Sequence, residues 1–229
     1  MNDQKIIAMW SGPRNLSTAL MYSFQNRGDT QIADEPFYAY FLSNNQIMHP
    51  EREKIIELME TNKNTLINYL SDIKNLKKGK IWYQKQMTHH LNINDDISWI
   101  KNITNCFLIR DPRDVIISYK KIYEQVSMSL IGLEQQNKIF DYVLNNISNT
   151  PLVIDAYDLR NNPESILKQA CKKLNISFTS KMLQWPLGPK EGEGVWGEYW
   201  YQNVWKTTSF VKQKKASIQT IGSTTKNLC

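Results

Sequence analysis

The sequence predicts an α/β fold, a three-layer sandwich with a mainly parallel central sheet. Two observations carry this. Short apolar runs without alternation, at residues 105–109 (NCFLI) and 151–154 (PLVI), suit strands covered on both faces. Such runs alternate with helical segments, the pattern of right-handed crossovers on a parallel sheet. The chain has 229 residues and is 41% apolar, enough for one domain, 1–229, with a real core.

The elements follow in order. Residues 5–9 read as a strand and 16–26 as its helix, with Leu16, Leu20 and Phe24 four apart. A second strand at 30–33 leads into Asp34-Glu35-Pro36-Phe37-Tyr38. A polar helical region spans 51–70, and 80–85 (KIWYQK) reads as a strand. After the strand at 105–109, a helix is expected over 112–123, with Asp111 as N-cap, Pro112 at its first position and Asp114 near the third. A longer helix is expected over 128–146, a strand at 151–154 and a helix over 163–174. No internal repeat or low-complexity linker interrupts this order. In such sheets ligands bind beyond the carboxyl ends of the strands.

Composition excludes several classes. No apolar run approaches the roughly 18 residues of a membrane span, so no membrane partner is expected. The start, MNDQK, has no signal-peptide pattern. Three distant cysteines (Cys106, Cys171, Cys229) read as reduced thiols in a cytoplasmic setting, not as a disulfide framework or zinc site. The net charge of +6 is concentrated at the end, where 206–229 holds five lysines and no acid. This basic segment reads as a flexible, solvated end at Lys226. Lys206 and Lys212 stay open between that and an anion contact. No aromatic–basic motif appears, so no nucleic-acid partner is expected. Oligomeric state is unreadable.

The most informative stretch is KIIAMWSGPRNLSTALMYSF, residues 5–24. An apolar strand meets the turn Ser11-Gly12-Pro13, then Arg14, then the hydroxyls Ser17 and Thr18 at the start of a helix. Amides at a helix start lack internal partners and carry the positive end of the dipole, so they favour an anion. Arg14 adds a planar fork of donors for phosphate or sulfate oxygens. A Walker A loop would need a Lys before its Ser/Thr, and none lies between Lys5 and Lys54. A second anion candidate is FLIRDPRDVIISYKK, residues 107–121. Arg110 lies at a strand end, and Ser118 stands about two turns into the next helix. The two converge if that helix folds back; otherwise Arg110 pairs with Asp111 or Asp114 as a weak surface ion pair.

Together these stretches resemble the sulfotransferase family, whose donor is 3′-phosphoadenosine 5′-phosphosulfate. Gly12, Pro13, Arg14, Asn15, Leu16, Ser17 and Thr18 resemble its 5′-phosphosulfate loop. Arg110-Asp111-Pro112-Arg113-Asp114-Val115 with Ser118-Tyr119 resembles its 3′-phosphate motif. Tyr157-Asp158-Leu159 and Asn162-Pro163-Glu164 are similar to the segment after its last core strand. The resemblance spans most of residues 5–176 and implies a P-loop-like nucleotide-binding fold, a small-molecule acceptor and no required metal. There are departures. Asn15-Leu16 replaces the usual Ser-Gly, and Leu restricts a backbone that Gly would free. The Arg-Lys-Gly segment of the cytosolic branch is absent. Lys190, or Lys206 with Thr207 and Thr208, stands where a replacement cation is expected.

For the transfer itself, the resemblance points to Arg14 and the amides of 15–18 on the leaving phosphate, with Lys85 on the bridging oxygen or the sulfonate. Two candidates exist for the base. Glu35 follows the second strand, or else Asp34 or Glu35 merely caps a turn before Pro36. His89 and His90 follow Lys85 in a loose match to a Lys-x-His arrangement, or else form a solvated pair. Trp196, Trp200 and Trp205 stand at one-turn spacing, which predicts a packing stripe, with one ring on the ligand. The competing functions are a non-catalytic nucleotide-binding or regulatory protein of the same fold, and an ATP-dependent small-molecule kinase.

Overall fold

Every ladder in the central sheet runs parallel. The computed structural model describes residues 4–121 and 126–212. Within them, five strands, β1 (Lys5–Ser11), β2 (Thr30–Asp34), β3 (Ile81–Met87), β4 (Thr104–Ile109) and β5 (Leu152–Asp155), pair in the order β2-β3-β1-β4-β5. β1 is central because it is apolar on both faces. Ile7 and Met9 enter one core cluster with helix α1 (Ser17–Gln25), while Ile6, Ala8 and Trp10 enter another on the opposite face. Alternating side chains on a strand make this division automatic. The expected three-layer α/β architecture is therefore present.

Between β2 and β3 lie α2 (Tyr38–Asn44), α3 (Arg52–Leu58) and α4 (Lys63–Ser71). The polar region expected as one helical stretch at 51–70 is thus two helices, and α2 precedes them. Asn62 breaks the stretch by capping α4 through the amides of Asn64 and Thr65. Helix α5 (Pro112–Tyr119) starts as expected, with the Asp111 side chain accepting from the Arg113 amide at 2.9 Å. It ends at Tyr119 with Lys120 as its C-cap, short of the expected end, and residues 122–125 and 213–229 lie outside the described residues.

The helix expected over 128–146 is two, α6 (Met128–Ile131) and α7 (Leu133–Asn146), separated by Gly132 at φ 69°. This left-handed geometry suits glycine. It also brings Gly132 so close to the loop after β3 that an added Cβ would lie 2.5 Å from Thr88 Oγ1 and 2.9 Å from the His89 amide nitrogen. On its other side, Ile131 meets the first loop: a Cβ on Gly12 would lie 2.4 Å from the Ile131 carbonyl oxygen. Thr88 Oγ1 completes the junction by donating to the Gly132 carbonyl at 2.9 Å.

After β5 come α8 (Ala156–Asn161), which the sequence did not signal, and α9 (Pro163–Lys173). The C-terminal segment carries α10 (Gly197–Trp200) and α11 (Gln202–Trp205). Residues 206–212 are not a free end. Ser209 forms an antiparallel bridge with Gln184, and buried Phe210 packs edge-on against Trp185. Cys106 and Cys171 are buried thiols. Among the described residues, no helix is long and apolar enough to cross a membrane.

Candidate active site at the carboxyl edge of the sheet

A cavity of about 370 Å³ opens beyond the carboxyl ends of β1 to β4. Its floor is the first loop. Pro13, Arg14, Asn15, Leu16, Ser17 and Thr18 all line it. Arg14 (φ 64°) and Leu16 (φ 72°) both adopt left-handed geometry, which costs a non-glycine residue about 1–2 kcal/mol. Leu16 thus follows the path that glycine would follow, and strain accompanies it. Leu16 is the N-cap of α1 and offers no side-chain cap, so the helix start presents amides to the cavity without a side-chain competitor. Gly12 does not line the cavity; it allows the close approach of Ile131.

The second motif converges on the first. Arg14 Nε donates to Ser118 Oγ at 3.0 Å, and Arg110 Nη1 donates to the Arg14 carbonyl at 2.7 Å. Arg110 also lies 3.8 Å from Asp114, but both side chains are only 10% exposed, so this is no surface ion pair. Both Arg110 and Ser118 line the cavity, as does Arg160 of α8, which the sequence reading passed over. Burial lowers the pKa of all three guanidiniums. Arg110 lowers Arg14 further, and Arg110 and Arg14 both lower Arg160. Like charges gathered at partly buried positions, beside an uncapped helix start, fit an anionic ligand such as a nucleotide phosphate or phosphosulfate.

At the opposite end, Lys85 is fully buried. Its Nζ donates to Asp34 Oδ1 at 3.0 Å and to Glu35 Oε1 at 2.6 Å, and also to the Tyr201 hydroxyl. That hydroxyl lies 2.9 Å from both Asp34 oxygens and 3.2 Å from Glu35 Oε1. Burial lowers the Lys85 pKa, but Asp34 and Glu35 outweigh it and raise the ammonium overall. Burial raises Asp34, against the pull of Lys85. Burial, followed by the two carboxylates, holds the Tyr201 phenol well above its ordinary range, so it stays a neutral donor. Glu35 does open a turn, its carbonyl accepting from the Tyr38 amide at 2.9 Å, but α2 begins after Phe37 without a side-chain cap. Glu35 sits at φ 47°, a strained backbone held by its amide's bond to the Lys85 carbonyl at 3.0 Å.

His89 and His90 are not a solvated pair. Both line the cavity beside His49, the third histidine of the chain. Burial drives both well below the usual imidazole range, and the neighbouring imidazoles and Lys85 add to it. Both are therefore neutral near physiological pH. His90 stacks on Tyr38 at 4.7 Å between centroids, and its Nε2 lies 3.8 Å from Glu35 Oε2. The Tyr38 hydroxyl is 2.6 Å from His49 Nδ1. Trp200 completes this ring-lined wall. Trp196 is buried and Trp205 Nε1 donates to Glu193 at 3.0 Å, so the expected stripe is divided between packing and cavity across two short helices.

Like Gly12, Lys190 and Lys206 do not line the cavity. Lys190 Nζ lies over the Tyr22 ring at 4.9 Å and bonds the Gly188 carbonyl, in a separate groove with Glu193. Lys206 ends α11 as its C-cap, while its neighbour Thr207 does face the cavity wall. Tyr201, Arg160 and His49 are the residues that the sequence reading missed. Only the aromatic density of 195–205 hinted at the first.

Fold and site together define a parallel α/β domain whose first strand–loop–helix lines a cavity suited to an anionic ligand. The chain belongs to the sulfotransferase domain family, whose model matches residues 4–220. Two proteins of Arabidopsis thaliana, branched-chain-amino-acid aminotransferase-like proteins 1 and 2, are 34% and 31% identical to it, over 94% and 92% of this chain. The chain spans only 38% and 37% of their lengths. Among solved structures, the sulfotransferase domain of the Synechococcus PCC 7002 olefin synthase aligns with a TM-score of 0.58 at 15% identity, covering 96% of this chain and 92% of that one. The sulfotransferase domain from the curacin biosynthetic pathway aligns with a TM-score of 0.55 at 15% identity, covering 84% and 81%. At such identity the likeness is one of fold.

Proposed function

We propose that this chain transfers a sulfuryl group from 3′-phosphoadenosine 5′-phosphosulfate to a hydroxyl or amine of a small acceptor. The observation that carries the reading is the single cavity with guanidiniums at one end and a carboxylate–ammonium–imidazole cluster at the other. Sulfuryl transfer is a loose in-line displacement, helped chiefly by positioning and charge stabilisation. Arg14 and the amides of residues 15–18 stabilise charge on the leaving phosphate, with the Ser17 and Thr18 hydroxyls assisting. Arg110 and Ser118 hold the 3′-phosphate. Lys85, fixed by Asp34 and Glu35, offers an ammonium to the bridging oxygen or sulfonate.

Glu35 takes the acceptor proton. It lies on the cavity wall, its Oε1 is anchored by Lys85, and its Oε2 points toward His90. His89 and His90, kept neutral by burial, shape the acceptor end and keep additional positive charge out of it. Calorimetry tests the reading directly. Binding of 3′-phosphoadenosine 5′-phosphate in strong preference to ATP is expected, followed by transfer from labelled donor in an acceptor screen. A preference for ATP would turn the assignment toward a kinase. Nucleotide binding without transfer to any acceptor would favour a regulatory role.

A further inference from the structure

The cation sought at Lys190 or Lys206 stands elsewhere, on α8. We infer that Arg160 is a third guanidinium of the donor site and selects nucleotides that carry a 3′-phosphate; this rests on the proposed donor. The position follows from the topology. β4 and β5 run parallel with Ile109 opposite Asp155, so the residues that follow each strand emerge side by side. Asp155 caps α8 by accepting from the amides of Tyr157 and Asp158. Ala156 and Leu159 are buried in the core cluster beneath. The helix is therefore pinned at both turns, and Arg160, next to Leu159, is carried to the cavity rim beside Arg110.

The electrostatics agree with the geometry. Arg160 lines the same cavity as Arg14, Arg110 and Ser118, and it lies within the field of both other guanidiniums and of Asp114. Assembling like charges costs free energy in the free protein, and an anion among them offsets that cost. Arginine suits the task because its fork meets two phosphate oxygens at once and keeps its charge when partly buried. The plain competing role is a structural pair with Asp114. Such a pair would affect stability but would not discriminate between nucleotides.

That distinction sets the experiment. Calorimetry on the full chain compares 3′-phosphoadenosine 5′-phosphate with adenosine 5′-monophosphate, which lacks only the 3′-phosphate. Arg160→Gln is expected to weaken the bisphosphate about 10- to 100-fold, the value of a charge-assisted contact, while the monophosphate changes less than about twofold. Arg160→Lys, which retains charge and helix propensity, is expected to recover part of the preference. Wild-type discrimination that persists undiminished in both variants overturns this inference and leaves the proposed function standing. A wild type indifferent to the 3′-phosphate overturns both.

Discussion

Replacing Lys85 by methionine would test the buried cluster most sharply. The side chains of Lys85 and Asp34 are each 1% exposed and Glu35 is 11% exposed, so water does little to screen them. Methionine has similar length, so no large cavity forms; what changes is the charge. Two carboxylates at 3.0 and 2.6 Å from Nζ lose their cation. Removing one partner from a buried ion pair costs about 3–5 kcal/mol. For a domain of this size, about 2–4 °C of melting temperature corresponds to each kcal/mol, so a fall on the order of 10 °C is expected near pH 8. The pH dependence has a definite sign. Burial already raises Asp34, and loss of Lys85 raises it further. A carboxyl whose folded pKa exceeds its unfolded one stabilises the fold below the unfolded value and loses that stabilisation as pH rises through the folded one. The deficit of Lys85→Met should therefore shrink toward pH 5, where the fold retains a proton. Adding Asp34→Asn should remove much of it at both pH values. Thermal denaturation by circular dichroism at the two pH values measures this. An equal deficit at both, or no deficit, would refute the account of Lys85 as the counter-ion of two buried carboxylates.

Three other perturbations separate chemistry from architecture. Glu35→Gln should abolish transfer yet leave binding of 3′-phosphoadenosine 5′-phosphate within about threefold of wild type by calorimetry; full turnover would remove Glu35 as the base. Tyr201→Phe withdraws the hydroxyl shared by Asp34, Glu35 and Lys85 and leaves Trp196 Nε1 without its acceptor at 3.1 Å. A loss of about 1–3 kcal/mol in urea unfolding is expected, with an unchanged midpoint counting against the network. Gly132→Ala forces a Cβ to 2.5 Å from Thr88 Oγ1 at a left-handed backbone, and about 2–4 kcal/mol of destabilisation should follow. Unchanged chemical denaturation of that variant would show that the junction yields freely.

Local signals in the sequence were enough for the sheet and for both anion motifs. The first strand, its loop and its helix are contiguous, and Arg110 is marked by the strand end, Asp111 and Pro112. Leu16 was legible as a conflict, and the structure gives its physical form: a left-handed leucine. What escaped depends on distance along the chain. Tyr201 meets Glu35 across 166 residues, so its role is visible only once the C-terminal segment has folded over β2 and β3. Arg160 sits in a short polar helix with too few apolar positions to announce itself, yet its neighbour Leu159 fixes it. Gly132 was the one available warning against a continuous helix over 128–146. The apolar rhythm on either side of it masked the break. Lys190 and Lys206 misled because position in sequence stood in for position in space.

The strand order has a further consequence. β1 divides the sheet, with β3 and β2 on one flank and β4 and β5 on the other. Glu35, Lys85 and the histidine pair follow the first flank; Arg110, Ser118 and Arg160 follow the second. Each flank's strands come from one stretch of chain, and the two flanks meet again away from β1, where Thr88 Oγ1 donates to the Gly132 carbonyl and Lys138 Nζ to the Asp95 carbonyl. The two ends of the cavity thus rest on different stretches of chain that are clamped together beyond β1. Exchanging residues 30–103 among relatives would replace Glu35, Lys85 and the histidine pair while keeping Arg14, Arg110, Ser118 and Arg160, provided that the incoming segment rebuilds the contacts with Gly132 and Tyr201.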